Sequence, residues 1–355
     1  MYKNRQKALL RLIQNEDLDG ILITSNENIF YFTGAPFIKD SFCKILYFNK
    51  DGNLYLIVSV IDYQEVIDSV SDVEIIKAEK GLFEEIKKYM GRKIGFEEKV
   101  MNQKMYQSLI KDYELIPISD YIEKMREIKD DKEVQIIKEV QKLTEKALYE
   151  AIQNFSENMS ELELAAELEY FIRKLGAETY AFDTIVASGY RSAYPHGLPS
   201  KKRVKKGEGV IIDIGARFCG YCSDITRTIF FGNPTKKMME VYEAVLNAQE
   251  EAIKVVKPGM KCKDLDEIAR NVLKEYGYDE YFIHGLGHGI GISVHEPPYI
   301  NRKGEEEIKI GNVITIEPGV YIPKIGGVRI EDIILITEGG CKNLTEFSKE
   351  LYKVG

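Results

Sequence analysis

Long apolar segments are absent from this chain, and their absence sets the first limits on its function. No stretch of the 355 residues approaches the roughly 20 apolar residues that a transmembrane helix requires. The N-terminal residues have no apolar core followed by a small-residue cleavage site, so we expect a cytoplasmic protein without a membrane partner. A basic block is missing too: 49 basic side chains are set against 57 acidic ones, for a net charge of −8. This balance argues against nucleic acid, because a concentrated positive face supplies most of the affinity for it.

Cysteine is also scarce. Five cysteines are an odd and small number, which argues against a disulfide scaffold. Cys219 and Cys222 form a CxxC, but they lie in a strand-turn-strand pattern. A redox pair normally opens a helix, whose dipole lowers the thiol pKa. We therefore interpret the two cysteines as thiols beside another site and not as a redox centre.

Histidine occurs only four times, and each time in motif-like surroundings. His196 lies in Tyr-Pro-His-Gly, whereas His284, His288 and His295 fall within twelve consecutive positions. Neutral imidazole is the commonest metal ligand and a proton carrier near neutral pH. Such sparing and clustered use of histidine predicts a single functional site.

Two regions of different texture divide the chain. Residues 1–124 alternate between helix and strand patterns, with a turn expected at Ser25–Asn28, and this predicts an α/β domain. In residues 125–355, two long amphipathic helices precede a strand hairpin. Two more helices then precede a strand-rich final third, in which one strand is expected at Gly291–Val294. The repeated order hints at duplicated halves, although no sequence repeat is evident.

Two aspartates interrupt or begin otherwise apolar strands. Asp213 lies within the run Val-Ile-Ile-Asp-Ile, and Asp224 begins the next strand pattern. A turn centred near Phe218 and Cys219 would set them opposite each other on one face of an antiparallel pair. Facing carboxylates among apolar side chains repel each other and lose hydration, so they need a cation or a proton between them. The alternative is a pair of solvated loop carboxylates.

Two glutamates repeat this pattern. Glu317 and Glu331 flank Gly326-Gly327 among β-branched residues, so they can meet across a second strand pair. Four carboxylates and one imidazole suit two neighbouring divalent ions such as Mn²⁺, Co²⁺ or Zn²⁺. His284 and His288 are four residues apart, but the glycines around them disfavour a helix, so the helical His-Glu-x-x-His zinc motif is absent.

These residues resemble the pita-bread metallopeptidases, and specifically the branch of Xaa-Pro aminopeptidases and prolidases. The matching elements are Asp213-Ile-Gly, Tyr221-Cys-Ser-Asp224-Ile-Thr-Arg, His284-Gly-Leu-Gly-His288-Gly, Val294-His295-Glu, Ile316-Glu317-Pro-Gly, Val328-Arg329-Ile-Glu331-Asp and, further upstream, Asn28-Ile-Phe-Tyr31-Phe-Thr-Gly34. The resemblance implies a creatinase/prolidase-like α/β N-terminal domain at residues 1–124 and an α+β pita-bread catalytic domain at residues 125–355. It further implies a homodimer that hydrolyses the bond between an N-terminal residue and proline in small peptides.

The resemblance also implies a metal site with two divalent ions per subunit, for which Mn²⁺ is the expected metal and Co²⁺ or Zn²⁺ the alternatives. Asp213 would be a terminal ligand of one ion, Asp224 and Glu331 would bridge the two, and His288 and Glu317 would complete the second. A bridging water would be the nucleophile and Glu317 its base.

Four further side chains are implied around the substrate. His295 and His284 would lie near the scissile carbonyl and the developing oxyanion, with orientation of the ligands as the alternative. His196 resembles a histidine that lines the substrate pocket, and Arg329 resembles an arginine that orders the site beside the bridging glutamate. A turn histidine and a structural ion pair are the alternatives for these two.

One position departs from the pattern of this branch. Prolidases that cleave dipeptides usually carry an arginine four residues after the histidine of Val-His-Glu, where it pairs with the substrate carboxylate. Tyr299 stands there in this chain. An aminopeptidase acting on Xaa-Pro-Yaa peptides is therefore at least as well supported as a dipeptidase. Lys201, Lys202 and Arg302 are the cations that could substitute, and the sequence does not place them.

Three rival functions follow from the same resemblance. Methionine aminopeptidases use a similar ligand set but lack the N-terminal domain. A creatinase-like amidinohydrolase works without metal, and a non-catalytic pita-bread binding module should have lost ligands. The intact set of five predicted ligands disfavours the last two.

Overall fold

The computed structural model describes residues 2–37, 43–156 and 158–354. The chain separates into two compact units, Met1–Met125 and Arg126–Gly355. We call them the N-terminal unit and the C-terminal unit. None of the helices in these described stretches has the length and apolarity needed to cross a bilayer.

A six-stranded sheet forms the centre of the N-terminal unit. Its strands are β1 (Gly20–Ile23), β2 (Lys44–Asn49), β3 (Leu54–Ser59), β4 (Glu74–Ala78), β5 (Lys93–Phe96) and β6 (Glu114–Pro117). Their order across the sheet is β4-β3-β2-β1-β5-β6, with parallel pairs at β3/β4, β1/β5 and β5/β6. The helices are α1 (Tyr2–Asn15), α2 (Asn26–Thr33), α3 (Tyr63–Ser69), α4 (Leu82–Ile86), α5 (Gln103–Leu109) and α6 (Ser119–Glu127). The observed mixture of strands and helices is α/β, as the sequence predicts.

The turn expected at Ser25–Asn28 is wrong, because helix α2 begins there. The Ser25 hydroxyl accepts a hydrogen bond from the backbone N–H of Asn28 and so caps the helix. Gly34 ends it in the left-handed region, at φ 75°. A polar cluster of Ser, Asn and Glu is typical of turns and of helix N-termini alike, and the buried Ile29 and Phe32 that follow decide for the helix.

Helix pairs and short sheets alternate in the C-terminal unit. Its helices are α7 (Asp131–Gln153), α8 (Glu161–Lys174), α9 (Lys236–Val255) and α10 (Cys262–Glu275). Its strands are β7 (Thr179–Tyr180), β8 (Ile185–Ser188), β9 (Gly209–Ile214), β10 (Ala216–Phe218), β11 (Tyr221–Cys222), β12 (Ile225–Phe231), β13 (Gly287–Gly289), β14 (Glu296–Ile300), β15 (Val313–Ile316), β16 (Gly319–Ile322), β17 (Gly326–Arg329), β18 (Asp332–Thr337), β19 (Gly340–Asn343) and β20 (Tyr352–Val354). Two 3₁₀ turns lie at Gly189–Ala193 and Asp279–Tyr281.

Each helix pair of this unit packs against its own group of strands. Helices α7 and α8 each begin with a capping box, at Asp130/Glu133 and Ser160/Glu163, and bury their apolar faces together with β8, β9 and β12. Helices α9 and α10 bury theirs together with β15 to β18. The order of helix pair and strands therefore occurs twice in space, in line with the repeated order of elements in the sequence.

Strand register brings the two aspartates together, but not directly opposite each other. In the antiparallel pair β9/β12, Asp213 faces Thr226, and Asp224 lies two residues before that partner. The connecting turn is centred one residue later than expected, because Cys219 and Gly220 both adopt positive φ in a two-residue hairpin turn. The aspartates are therefore diagonal neighbours on one face.

The glutamates meet across a second pair of strands, as the sequence predicts. Ile316 pairs with Asp332 in β15/β18, and Gly319 pairs with Arg329 in β16/β17. Glu317 and Glu331 occupy the break between these two ladders and face each other in the same register. The strand expected at Gly291–Val294 is wrong, since those residues form bends and pairing starts at Glu296.

Candidate active site

All nine residues predicted as metal ligands or as side chains around the substrate line one cavity of about 570 Å³ in the C-terminal unit. They come from five separate segments of the chain and are His196, Asp213, Asp224, His284, His288, His295, Glu317, Arg329 and Glu331. Asp224, Glu317 and Glu331 stand at the ends or breaks of strands, whereas Asp213 lies within β9 and is paired with Thr226 and Ile185.

A group of potential metal ligands forms the floor of this cavity. One ligand atom each from Asp224, His288 and Glu331 lies within 4.8 Å of the others. Glu317 joins them, with Oε1 3.4 Å from His288 Nε2, and Asp224 Oδ2 lies 3.7 Å from the same nitrogen. Nitrogen and carboxylate oxygen in this combination are ligands that Mn²⁺, Co²⁺ and Zn²⁺ accept.

His288 has the tautomer that a metal ligand requires. Its Nδ1 lies 3.1 Å from the carbonyl oxygen of Gly289, which can only accept, so Nδ1 carries the proton. Burial, assisted by the neighbouring His295, lowers the pKa of His288 to about 3, and the ring is therefore neutral. The lone pair of Nε2 then faces two carboxylate oxygens. That arrangement is repulsive unless a cation lies between them or one of the carboxylates is protonated.

The carboxylates point to the same need for a cation. Among the described residues, Asp213 Oδ1, Asp224 Oδ1 and Glu331 Oε1 are buried without a hydrogen-bond partner. Burial, reinforced by the neighbouring carboxylates, raises the pKa of Asp224 and of Glu331 well above the ordinary range. Burial likewise raises the pKa of Glu317 to about 8. Stranded acceptors and repelling charges are costly in a protein interior, and divalent cations would satisfy both.

Arg329 is the one guanidinium among the described residues of the cavity wall, and the protein engages four of its five N–H groups. It donates to Asp213 Oδ2 at 2.5 Å, to the hydroxyl of Tyr321 at 2.8 Å and to the carbonyl of Pro195 at 3.0 Å. Its Nε donates to Thr226 Oγ1 at 3.1 Å, and that hydroxyl donates to Glu331 Oε2 at 2.7 Å. Arg329 thus fixes one carboxylate directly and a second through a threonine.

His284 is engaged at both ring nitrogens. Nδ1 donates to the carbonyl of Gly285 at 2.8 Å, and Nε2 lies 2.8 Å from the hydroxyl of Tyr321. Burial, then Arg329, lowers the pKa of His284 to about 3, so Nε2 accepts and Tyr321 donates. His295 differs: it is exposed at the cavity wall, with its ring centroid 4.2 Å from that of His288. Of the two, His295 is the one that faces open space.

A buried glutamate, Glu161, fixes the loop that carries His196. Its carboxylate accepts from the N–H and hydroxyl of Ser188, both at 2.8 Å, and from Arg191 Nε at 2.9 Å. It also accepts from the N–H and hydroxyl of Ser200, at 3.1 and 2.6 Å. Both ends of the loop are therefore tied to one side chain at the start of α8, which holds His196 at the cavity.

Sequence reasoning missed three of these supporting side chains: Tyr321, Thr226 and Glu161. Tyr321 follows Glu317 by four residues and Thr226 follows Asp224 by two. Because alternate residues of a strand share a face, this spacing is a usable signal for both. Glu161 gives no such signal, since a glutamate in the first turn of a helix is ordinary on helix-dipole grounds alone.

Comparisons with known proteins agree with this geometry. The model of metallopeptidase family M24 matches residues 135–338, and that of the Creatinase/Prolidase N-terminal domain matches residues 5–128. The Xaa-Pro dipeptidase of Pyrococcus horikoshii is 43% identical over 350 residues, which is 97% of each chain.

Two solved structures resemble the whole chain. The prolidase from Pyrococcus furiosus has a TM-score of 0.89 and 41% identity, covering 96% of this chain and 99% of its own. The X-Pro aminopeptidase from Thermotoga maritima has a TM-score of 0.87 and 36% identity, covering 99% of this chain and 100% of its own. Relatives named as dipeptidases or prolidases and a relative named as an aminopeptidase are all similar to this chain over nearly their full length. These names therefore do not decide whether its substrates are dipeptides or longer peptides.

Proposed function

The chain belongs to metallopeptidase family M24, and on that basis we propose that it uses divalent metal ions to hydrolyse the peptide bond between an N-terminal residue and proline. It combines a creatinase/prolidase N-terminal domain with a catalytic domain of the pita-bread fold. We assign these domains to residues 1–124 and 125–355. The observation that carries the proposal is the buried group of four carboxylates, with stranded oxygens, around a neutral imidazole.

We propose Asp213, Asp224, His288, Glu317 and Glu331 as the ligands of two ions. The four carboxylates and Arg329 leave an excess of three negative charges when all are ionised, which two divalent cations offset and one does not. Mn²⁺ is our first choice because the set is rich in oxygen, with Co²⁺ or Zn²⁺ as alternatives. Bound there, such ions would act as Lewis acids and lower the pKa of a nucleophilic water.

The residues in and around the group of metal ligands have the other catalytic and positioning roles. We assign Glu317 as the base that accepts a proton from the attacking water at a carboxylate oxygen. Arg329 holds Asp213, and Thr226 holds Glu331, so neither carboxylate has to reorganise. His295, which faces open space, is the imidazole that we place beside the scissile carbonyl. His284 acts through Tyr321, which its Nε2 orients toward Arg329.

Proline as the leaving residue has a specific chemical consequence. Its amide nitrogen carries no hydrogen, so it offers no donor to the site. Like the nitrogen of any peptide bond, it must gain a proton when the bond breaks. Glu317, protonated by the water, or His295 supplies it. The cavity wall offers apolar surface to the pyrrolidine ring and to the first side chain, from Phe182, Ile185 and Leu198. His196, on the loop beside Leu198, lines the same substrate space.

Small peptides with proline in second position are the proposed substrates. We further propose that the protein is a homodimer in the cytoplasm. The resemblance to the Xaa-Pro peptidase branch supports the dimer, and the low cysteine content supports a reducing compartment.

Product analysis tests the proposed function. Protein loaded with Mn²⁺ or Co²⁺ is incubated with Xaa-Pro-Yaa peptides and with matched Xaa-Ala-Yaa peptides. We expect release of the first residue from the proline peptides alone, and loss of this activity on chelation. Metal-loaded protein that leaves every Xaa-Pro bond intact would contradict the proposal.

A further inference from the structure

The catalytic cavity contains few groups that could bind the free α-carboxylate of a peptide substrate. Arg329 is the only lysine or arginine among its described lining residues, and Asp213, Tyr321, Thr226 and a backbone carbonyl already occupy its guanidinium. The other charged groups there are acidic. In an Xaa-Pro dipeptide the α-carboxylate belongs to the proline itself, so it would enter this cavity without a free lysine or arginine to pair with. A buried unpaired carboxylate is costly.

A second groove continues outward from the cavity. It is about 600 Å³ and shares three lining residues with the catalytic cavity, namely His284, Gly285 and Asn301. Its wall adds Ile283, which is 66% exposed, and the adjacent cations Arg302 and Lys303. A chain that leaves the catalytic cavity along these shared residues enters the groove.

The charges in this groove are not equivalent. Arg270 is committed, since it donates to both oxygens of Asp266 and to the carbonyls of Phe282 and His284. Asp279 and Glu280 also line the groove. Arg302 and Lys303 have no ion pair or side-chain hydrogen bond among the described residues, so their charges are available to a ligand.

The two alternative cations, Lys201 and Lys202, are less well placed to bind a substrate carboxylate. Lys202 Nζ donates to Ser188 Oγ at 2.8 Å and to Glu208 Oε2 at 2.5 Å, and is therefore occupied. Lys201 is exposed and lines neither the cavity nor the groove. Of the three cations that the sequence leaves open, Arg302 alone lies on the path out of the site.

We propose that this groove binds the part of a peptide that follows proline, and that Arg302, assisted by Lys303, binds its α-carboxylate. The inference rests on the proposed function and narrows it: the preferred substrates are Xaa-Pro-Yaa tripeptides and slightly longer peptides, ahead of Xaa-Pro dipeptides. A guanidinium suits this task because two of its N–H groups can donate to one carboxylate. Ile283 offers apolar contact to the Yaa side chain.

Steady-state kinetics on three substrates test this inference. The substrates are one Xaa-Pro-Yaa tripeptide, its C-terminal amide and the corresponding Xaa-Pro dipeptide, each with Mn²⁺-loaded protein. The variants are the double substitution Arg302→Gln/Lys303→Gln and, for the rival cation, Lys201→Gln. The amide controls for folding and chemistry, because it reaches the same catalytic residues without a terminal charge.

We expect wild-type protein to have the highest kcat/KM for the tripeptide acid. The double substitution should raise KM for the tripeptide acid by about tenfold, as expected for losing a charge-assisted contact. Its kcat for the acid, and its kcat and KM for the tripeptide amide, should be almost unchanged. Added salt should reduce the wild-type preference for acid over amide, since the site is exposed. Lys201→Gln should keep that preference.

Different results overturn different claims. A wild-type preference for the dipeptide, or an acid-over-amide preference that survives the double substitution, overturns the role of the groove while the proposed function stands. If Lys201→Gln loses the preference for acid over amide, the carboxylate binds at Lys201 and not in the groove, and the role of the groove is again overturned. Wild-type protein that cleaves none of the three peptides overturns the proposed function itself, and this inference with it.

Discussion

Glu317→Gln should lower kcat for an Xaa-Pro-Yaa peptide by about 10³-fold or more, as expected when a general base is removed together with a metal ligand. The amide keeps the size of the side chain but cannot take a proton, and it is a weaker ligand than a carboxylate. Glu317 Oε1 lies 3.4 Å from His288 Nε2, so the change is made inside the ligand group. Turnover at saturating substrate, together with the metal content of the purified variant, measures both effects.

A matched control separates this effect from a general loss of negative charge. Glu338 is an exposed glutamate in the turn after β18, and Glu338→Gln should keep kcat within about twofold, as surface substitutions generally do. Near-normal turnover in Glu317→Gln, with metal still bound, would show that Glu317 is neither base nor essential ligand.

Asp332→Ala should have the largest effect on stability, a loss of about 3–5 kcal/mol, which is typical when one partner of a buried ion pair is removed. Asp332 is 1% exposed and accepts from Arg227 Nη2 at 2.8 Å, from Gln249 Nε2 at 2.9 Å and from Asn343 Nδ2 at 2.9 Å. Without the carboxylate, Arg227 is left as a buried cation. Arg227 also donates to the backbone carbonyls of Thr226 and Glu331, so strand β12 and the ligand segment should loosen together.

Urea unfolding followed by circular dichroism measures the loss. Glu243→Ala removes an exposed carboxylate from α9 and should change stability by less than about 0.5 kcal/mol. Burial alone would raise the pKa of Asp332, but Arg227 and Lys349 hold it below its ordinary value of 3.8. The stabilisation that ionised Asp332 gives to the folded state is therefore complete above pH 3.8. It is lost as the pH falls through the lowered pKa of the folded state. An Asp332→Ala variant as stable as the control would contradict the role of this ion pair.

The motifs of the sequence predict much of the site because they place acidic side chains within or at the ends of apolar strands. An aspartate or glutamate inside a β-branched run is buried with its strand and needs a partner for its charge. Asp213, Glu317 and Glu331 could therefore be expected at one buried centre. The family inferred from them is confirmed by the match to metallopeptidase family M24 over residues 135–338. The register of the glutamates does not follow from the glycine pair between them, because Gly326 and Gly327 lie in β17 and the turn is at residues 323–325.

Other features depend on information that the sequence does not carry locally. The displaced turn at Cys219 requires a non-glycine residue at positive φ, which residue preferences do not favour. Bends replace the expected strand at Gly291–Val294, where the carbonyls of Gly291 and Ile292 accept hydrogen bonds from Cys222 N–H and Arg217, both far away in the sequence. Glu161 holds the loop of His196 through contacts between 27 and 39 residues away.

Titration of metal-stripped protein with Mn²⁺, with peptide hydrolysis followed in the same samples, tests the metal-dependent chemistry most directly. We expect no Xaa-Pro hydrolysis in the stripped protein, binding of two ions per chain, and activity that rises with occupancy. Glu331→Gln should bind fewer ions and remain inactive. Full hydrolysis in the presence of excess chelator, by protein that contains no metal, would contradict the proposed metal-dependent mechanism.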